Sequence, residues 1–234
     1  MINSFLQVRY KTSVTLNNVL ASPVEPIEIP LNPQLNIIEN GQWYYKLYNK
    51  LKNRIISGQY QLKKSTQKLD YLNSILYSLS ISTDRESLQE IKNECMEAGL
   101  IKKSKKPLSY KINKENFITI TIPEGTVYIG RNNKQNDYLT HRFAKPNDMW
   151  FHTKDIQGSH VILRTSQELD DNLISKVAQY AAYYSKSKEA PRVQVDYTFV
   201  RNIKKPPGSP LGYVIFSTNQ TMYVKPVKPE GVKE

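Results

Sequence analysis

Short segments in the second half of the chain carry residue types that could do chemistry. Gly130-Arg131-Asn132-Asn133-Lys134-Gln135-Asn136-Asp137 follows an apolar run ending at Ile129. Gly130 permits a tight turn, Asn132 or Asn133 can cap a following helix, and the free N–H groups of a helix start suit an anion. Arg131 and Lys134 add positive charge, so a phosphate could sit there; an ordinary capped strand-to-helix turn is the competing reading. Next come Asn147-Asp148-Met149-Trp150-Phe151-His152 and Gly158-Ser159-His160-Val161. Strand alternation puts Trp150 and His152 on one face and Phe151 on the other, which suits Trp150 either to core packing or to stacking on an unpaired base. His152 and His160 lack a paired carboxylate, Ser or Cys at a recognisable spacing, so structural hydrogen bonds are expected of them rather than catalysis. The turn Arg201-Asn202-Ile203-Lys204-Lys205-Pro206-Pro207-Gly208 is stiff and basic, and Lys204 and Lys205 suit phosphate contact.

A second kind of signal lies in the first half. Residues 41–70 hold Lys46, Lys50, Lys52, Arg54, Lys63, Lys64 and Lys68 against Asp70 alone. Such a row either solvates a helix or tracks a phosphate backbone with salt-sensitive affinity. Lys46, Lys50, Arg54, Lys63 and Lys64 are the candidates for that reach.

The elements that must position these groups follow from proline, glycine and periodicity. All 13 prolines lie outside residues 34–106, which predicts a mostly helical stretch. Within it Tyr44, Tyr48, Leu51, Ile55, Leu62, Leu69, Leu72, Leu76 and Leu79 keep one heptad register, a coiled-coil signal. A shorter helix should follow, started by a Thr83/Glu86 capping box, continued by Leu88, Ile91 and Cys95, and stopped at Gly99; the two fold back as a hairpin. Residues 1–33 contain two short strand-like runs, read as the remnant of a preceding domain. From Pro107 onward seven strand patterns surround one helical segment at 169–186. The fold class is therefore α+β: a helical coiled-coil hairpin (34–106) followed by a mixed-sheet α+β domain (107–234).

Composition narrows the function class. The 234 residues carry 33 basic and 21 acidic side chains, a formal charge of +12, which favours polyanionic partners. A single cysteine excludes an intrachain disulfide, and with three scattered histidines it gives no zinc spacing. No metal or cofactor is expected. No secretory signal is legible in Met1–Thr15 and no apolar window reaches membrane-spanning length, so no membrane partner and a cytoplasmic location are expected.

The run Ile129-Gly130-Arg131-Asn132-Asn133, the block Asp148-Met149-Trp150-Phe151-His152, the Gly158-Ser159-His160-Val161 segment, and Val195-Asp196-Tyr197-Thr198 with Lys204-Lys205-Pro206 resemble the NFACT-R domain in order and spacing. This is the RNA-binding module of the bacterial RqcH proteins, also called fibronectin-binding protein A. Pro30-Leu31-Asn32-Pro33, Glu39-Asn40, Tyr45 to Lys52 and Glu90-Ile91 to Gly99 resemble the coiled-coil and middle region that precedes it. The resemblance implies a role in ribosome quality control, with the large ribosomal subunit, its rRNA and tRNA as partners. It also implies that most of the N-terminal NFACT-N domain, with its tRNA-recruiting residues, is missing. The expected function is RNA and ribosome binding without catalysis. Arg131, Asn132, Asn133, Lys134, Trp150, Lys204 and Lys205 are the RNA-contact candidates. A cell-surface fibronectin-binding adhesin is the alternative, and a small hydrolase using His152 and His160 ranks below both.

Overall fold

The computed structural model describes residues 11–102 and 116–230. β1 (Ser13–Asn18) and β2 (Glu25–Pro30) pair as an antiparallel hairpin, and α1 (Ile37–Ile81) and α2 (Arg85–Glu97) follow. The expected boundary at 106/107 lies outside the described residues. Then come β3 (Ile118–Ile122), β4 (Gly125–Ile129), α3 (Asn133–Tyr138), a π-helical turn (Leu139–Phe143), β5 (Met149–Thr153), β6 (Val161–Arg164), α4 (Asp171–Tyr183), β7 (Val193–Phe199), β8 (Ile203–Lys204), β9 (Ile215–Phe216) and β10 (Gln220–Val224). Two compact units divide between Thr66 and Gln67, inside α1.

In the first unit α1 starts at a reciprocal cap: Asn36 Oδ1 accepts from the Glu39 N–H at 2.9 Å, and Glu39 Oε2 accepts from the Asn36 N–H at 2.7 Å. Two donors left over by the helix start are satisfied this way. Asn40, 2% exposed, donates to the carbonyls of Asn32, Leu35 and Asn36 and accepts from the Asn32 N–H. The Tyr44 hydroxyl donates to the Pro30 carbonyl at 2.6 Å, fixing the end of β2 to the helix. Beyond this collar Tyr48, Leu51, Ile55 and Leu62 are exposed.

The second unit holds the rest of α1, where Leu69, Leu76 and Leu79 are also exposed. The heptad seam is therefore not the buried face among the described residues. Burial falls instead on Ile75 and Ser78, flanked by the half-buried Tyr71 and Ser74. A seam is buried only against a second helix carrying the same repeat, and the 13-residue α2 buries Ile91 together with three polar residues, Ser87, Glu90 and Glu94. Its cap is Asp84, one residue past the expected Thr83, accepting from the Ser87 N–H at 2.7 Å. Gly99 closes it with φ +71°, a conformation glycine adopts without a Cβ penalty.

The main sheet has the order β10-β7-β5-β6-β4-β3, and every ladder in it is antiparallel. The strand-helix-strand run β6-α4-β7 links two strands that point the same way with β5 between them, so no parallel ladder forms. Strand alternation divides the sheet into two faces. One buries Val127, Ile129, Phe151, Val161, Leu163 and Val195 under α4, which its Asp170 cap starts. The other gathers Phe117, Leu139, Trp150 and Ile162 with Tyr128, Phe143, Val214 and Phe216. Removing these apolar groups from water, at about 25 cal/mol per Å² of apolar surface, holds both layers on the sheet.

Candidate nucleic-acid interface

The Gly130–Asp137 segment sits at the junction of sheet and helices. Asn132 caps α3, its Oδ1 accepting from the Gln135 N–H at 2.9 Å, as its residue type predicts. The helix start is not open to a phosphate. Asn132 and Asn133 are 1% and 4% exposed and face two buried carboxylates of α2. Asn132 Nδ2 and Gln135 Nε2 both donate to Glu90 Oε2, at 2.6 and 2.9 Å, while Asn133 Nδ2 donates to Glu94 Oε1 at 3.0 Å and to Ser74 Oγ at 2.8 Å. Burial raises the pKa of Glu94, and the bond from Asn133 offsets part of that rise. The side-chain amides of Asn132 and Asn133, both RNA-contact candidates, are occupied by the protein's own carboxylates, and of the backbone N–H groups expected to suit an anion that of Gln135 goes to Asn132 Oδ1. The flanking charges are engaged too, Arg131 with Asp84 at 3.5 Å and Lys134 with Glu97 at 3.9 Å. The two pairs differ in reach: at 3.9 Å and partly exposed, the Lys134 pair is weak enough for an incoming phosphate to compete. Glu90 and Glu94 were not legible as site residues, because acids on a helix read as solvated surface.

Gly130 has a different role from the expected turn. Its backbone is not left-handed, and a Cβ there would meet Asn136 Oδ1 at 2.2 Å. That oxygen accepts from the His160 N–H at 3.0 Å, and the Gly130 N–H donates to the His160 carbonyl at 3.1 Å. Glycine is needed for close approach, not for φ. Through these bonds the Gly130 segment and the Gly158-Ser159-His160 segment, distant in sequence, form one unit.

Trp150 is 1% exposed. Of the two roles open to it, the structure supplies packing: its ring stacks on His152 at 5.8 Å and meets His160 edge-on at 5.2 Å. His160 Nδ1 shares a 2.7 Å hydrogen bond with Thr140 Oγ1 on the π-helical turn. Burial holds His160 well below the usual imidazole range, and the neighbouring His152 and His141 push the same way. Burial also lowers His152, against the opposing pull of the Gly158 backbone and Asp196. The two imidazoles also meet each other edge-on at 5.4 Å. Among the described residues no group of His, Cys, Asp and Glu could hold a metal ion.

Lys204 is exposed on β8 and no carboxylate pairs with it among the described residues. Lys205 contacts Asp137 at 2.5 Å, and Asp137 also accepts from the Gly212 N–H, tying this basic turn to α3. In the first unit Lys46, Lys50, Arg54, Lys63 and Lys64 are all exposed on α1, with no ion pair among the described residues. The structure thus separates the candidates: Lys204 and the α1 row face solvent, Arg131, Lys134 and Lys205 are paired, and Asn132, Asn133 and Trp150 are internal.

The second unit is thus an antiparallel sheet with one face covered by a helix and the other packed with aromatic rings. Residues 1–114 match the family model of the NFACT N-terminal and middle domains, and residues 115–217 match that of the NFACT protein RNA binding domain. The chain belongs to the NFACT family. It is 37% identical over 203 residues to the Rqc2 homolog RqcH of Bacillus subtilis (strain 168), covering 86% of this chain and 35% of that protein. It is 32% identical over 218 residues to the Rqc2 homolog RqcH of Streptococcus suis (strain 05ZYH33), covering 93% and 39%. A solved structure, the C-terminal part of the fibronectin/fibrinogen-binding protein from Streptococcus suis, superposes with a TM-score of 0.74 at 32% identity, over 81% of this chain and 77% of that one. The chain thus spans little more than a third of the length of the curated RqcH relatives it matches. Among the described residues no helix is long and apolar enough to cross a membrane.

Proposed function

We propose that this chain is a non-catalytic RNA-binding component of ribosome-associated quality control, contacting the large ribosomal subunit, its rRNA and tRNA. The observation that carries this reading is the match of residues 115–217 to an RNA-binding domain, and the likeness to RqcH proteins supports the pathway. The chemistry suits it: Lys46, Lys50, Arg54, Lys63 and Lys64 on α1 and Lys204 on β8 are solvated cations that can exchange counterions for phosphates. Arg131, Lys134 and Lys205 would join only by exchanging a carboxylate for a phosphate.

Co-sedimentation with ribosomes and gel shifts with tRNA, between about 50 mM and about 200 mM salt, test this reading. Binding should weaken steeply over that range. Alanine at the five α1 positions should flatten the slope of log affinity against log salt by roughly 0.7–0.9 for each phosphate that is no longer neutralised. Absence of ribosome and tRNA binding at the lower salt would refute the proposal. The name of the Streptococcus suis structure favours a second reading, adhesion to fibronectin; saturable fibronectin binding by a chain indifferent to ribosomes would establish it instead.

A further inference from the structure

One end of the main sheet gathers cations that meet no carboxylate. β5 ends at Thr153, β7 starts at Val193 and β10 ends at Val224, and these strands are neighbours in the order β10-β7-β5. Their pairing, Thr153 with Val195 and Val193 with Val224, brings the three ends together. Each continues into a basic residue: Lys154 after β5, Arg192 before β7 and Lys225 after β10. Adjacent strands lie about 4.8 Å apart, so these cations form a row across the sheet end, and alternation puts them on the face of His152, Gln194 and Tyr223. The turn after α4 adds Lys186 and Lys188, held at the same end by the bond from the Lys186 N–H to the Gln157 carbonyl at 2.9 Å and by the bridge between Gly158 and Ser185. All five are exposed, and none pairs with a carboxylate among the described residues. The acids of the same turns are Asp155 and Glu189 alone.

A flat group stands beside the row. Tyr223 is 57% exposed on β10, the edge strand. Its hydroxyl accepts from Nε2 of Gln194, its direct partner on β7, and the Arg192 guanidinium lies over the ring, 5.3 Å from its centroid. An exposed cation row by itself suits any polyanion. An exposed aromatic ring paired with a guanidinium narrows the choice, because bases stack on both kinds of plane, whereas an acidic peptide or an anionic lipid brings charge without a flat group. In a duplex the base faces are covered by their own neighbours, so a base that reaches Tyr223 must come from an unpaired segment.

We propose that this end of the sheet is a site for an unpaired RNA strand, with Lys154, Arg192 and Lys225 neutralising neighbouring phosphates, Lys186 and Lys188 extending the positive field, and one base stacked on Tyr223 and Arg192. The site rests on the RNA-binding reading above, but it uses neither the α1 cations nor Lys204.

The test uses the full chain and three fluorescently labelled probes: a short oligoadenylate, the same sugar-phosphate backbone lacking bases, and an RNA duplex of equal length. Tyr223→Ala should weaken oligoadenylate binding about fivefold or more and leave the other two probes unchanged, while Tyr223→Phe, which keeps the ring, should bind like the parent. Should Tyr223→Ala not fold, Tyr223→Leu, which fills the position without a flat ring, takes its place with the same expectation. Joint substitution of Lys154→Ala, Arg192→Ala and Lys225→Ala should flatten the slope of log affinity against log salt by about 2, at roughly 0.7 for each phosphate no longer neutralised. Variants that bind oligoadenylate like the parent would overturn this site while leaving RNA binding through α1 and Lys204 intact. Equal losses on the abasic strand and the oligoadenylate in Tyr223→Ala would overturn the stacked base, and a polyglutamate peptide that competes as well as the oligoadenylate would overturn RNA as the occupant. No binding of any probe at about 50 mM salt would overturn both this site and the RNA-binding reading.

Discussion

Removing the Glu90 carboxylate should loosen the attachment of α2 to the sheet domain. Glu90 is 2% exposed, and one of its oxygens receives both the Asn132 and the Gln135 side-chain amides. Glu90→Ala strands two buried donors at about 1–3 kcal/mol each, so the expected loss of stability is roughly 2–5 kcal/mol. Glu90→Gln keeps an oxygen that can accept both bonds and gives up only the charge, for a loss of about 1 kcal/mol. The separation between the two variants, not either value alone, measures the clasp. Urea unfolding followed by Trp150 fluorescence in the Trp43→Phe background reads it, and because the groups are buried the separation should persist at high salt. An alanine variant within about 1 kcal/mol of the glutamine variant would refute the argument that these amides depend on the carboxylate.

Other expectations follow from the same geometry. His141, His152 and His160 are all held below the usual imidazole range by burial, so the native state binds fewer protons than the unfolded chain. Stability should therefore be full above pH ~6.5 and fall below it, by up to about 1.4 kcal/mol per pH unit for each ring that stays neutral; denaturation midpoints across that window check this. Glu94 has the opposite sign: its raised pKa makes the native state hold a proton the unfolded chain releases, so its penalty grows as pH rises through that interval. Glu94→Gln should accordingly be neutral, or stabilising by up to about 1 kcal/mol, when melted at neutral pH. Gly130→Ala would drive a Cβ into Asn136 and should cost about 1–3 kcal/mol in the same melts. Arg164 grips Asp148 through Nε at 3.0 Å and Nη2 at 2.7 Å and donates to the Phe143 carbonyl at 3.0 Å. A lysine cannot reproduce that fork, so Arg164→Lys should lose about 1–3 kcal/mol of thermal stability.

The strands and helices were largely legible because their signals are local. The mostly helical stretch expected within residues 34–106 contains α1 (Ile37–Ile81) and α2 (Arg85–Glu97), and the helical segment at 169–186 contains α4, because absence of proline and a 3,4 apolar spacing act within a turn or two. The site was less legible because its residues act at a distance. Asn132 could be read as a cap, a relation across three residues, but not as the partner of Glu90, 42 residues away. Gly130 could be read as special, but only the packed neighbour Asn136 shows why. The heptad of α1 is present in the sequence, yet beside Ile91 the buried face of α2 is serine and glutamate, and hydrophobic pattern alone cannot reveal those polar contacts.

Residue types and their short-range spacing are enough to establish the α+β class, the positive charge that favours polyanions, the order of the motif blocks and the lysine row of α1. An unfolded chain already contains all of these. It took the folded arrangement to show that Asn132 and Asn133 satisfy buried carboxylates and that Trp150 packs against the two histidine rings. A hydrogen-bonding group declares what it can bond to, but which partner it meets depends on where folding brings strands and helices far apart in sequence.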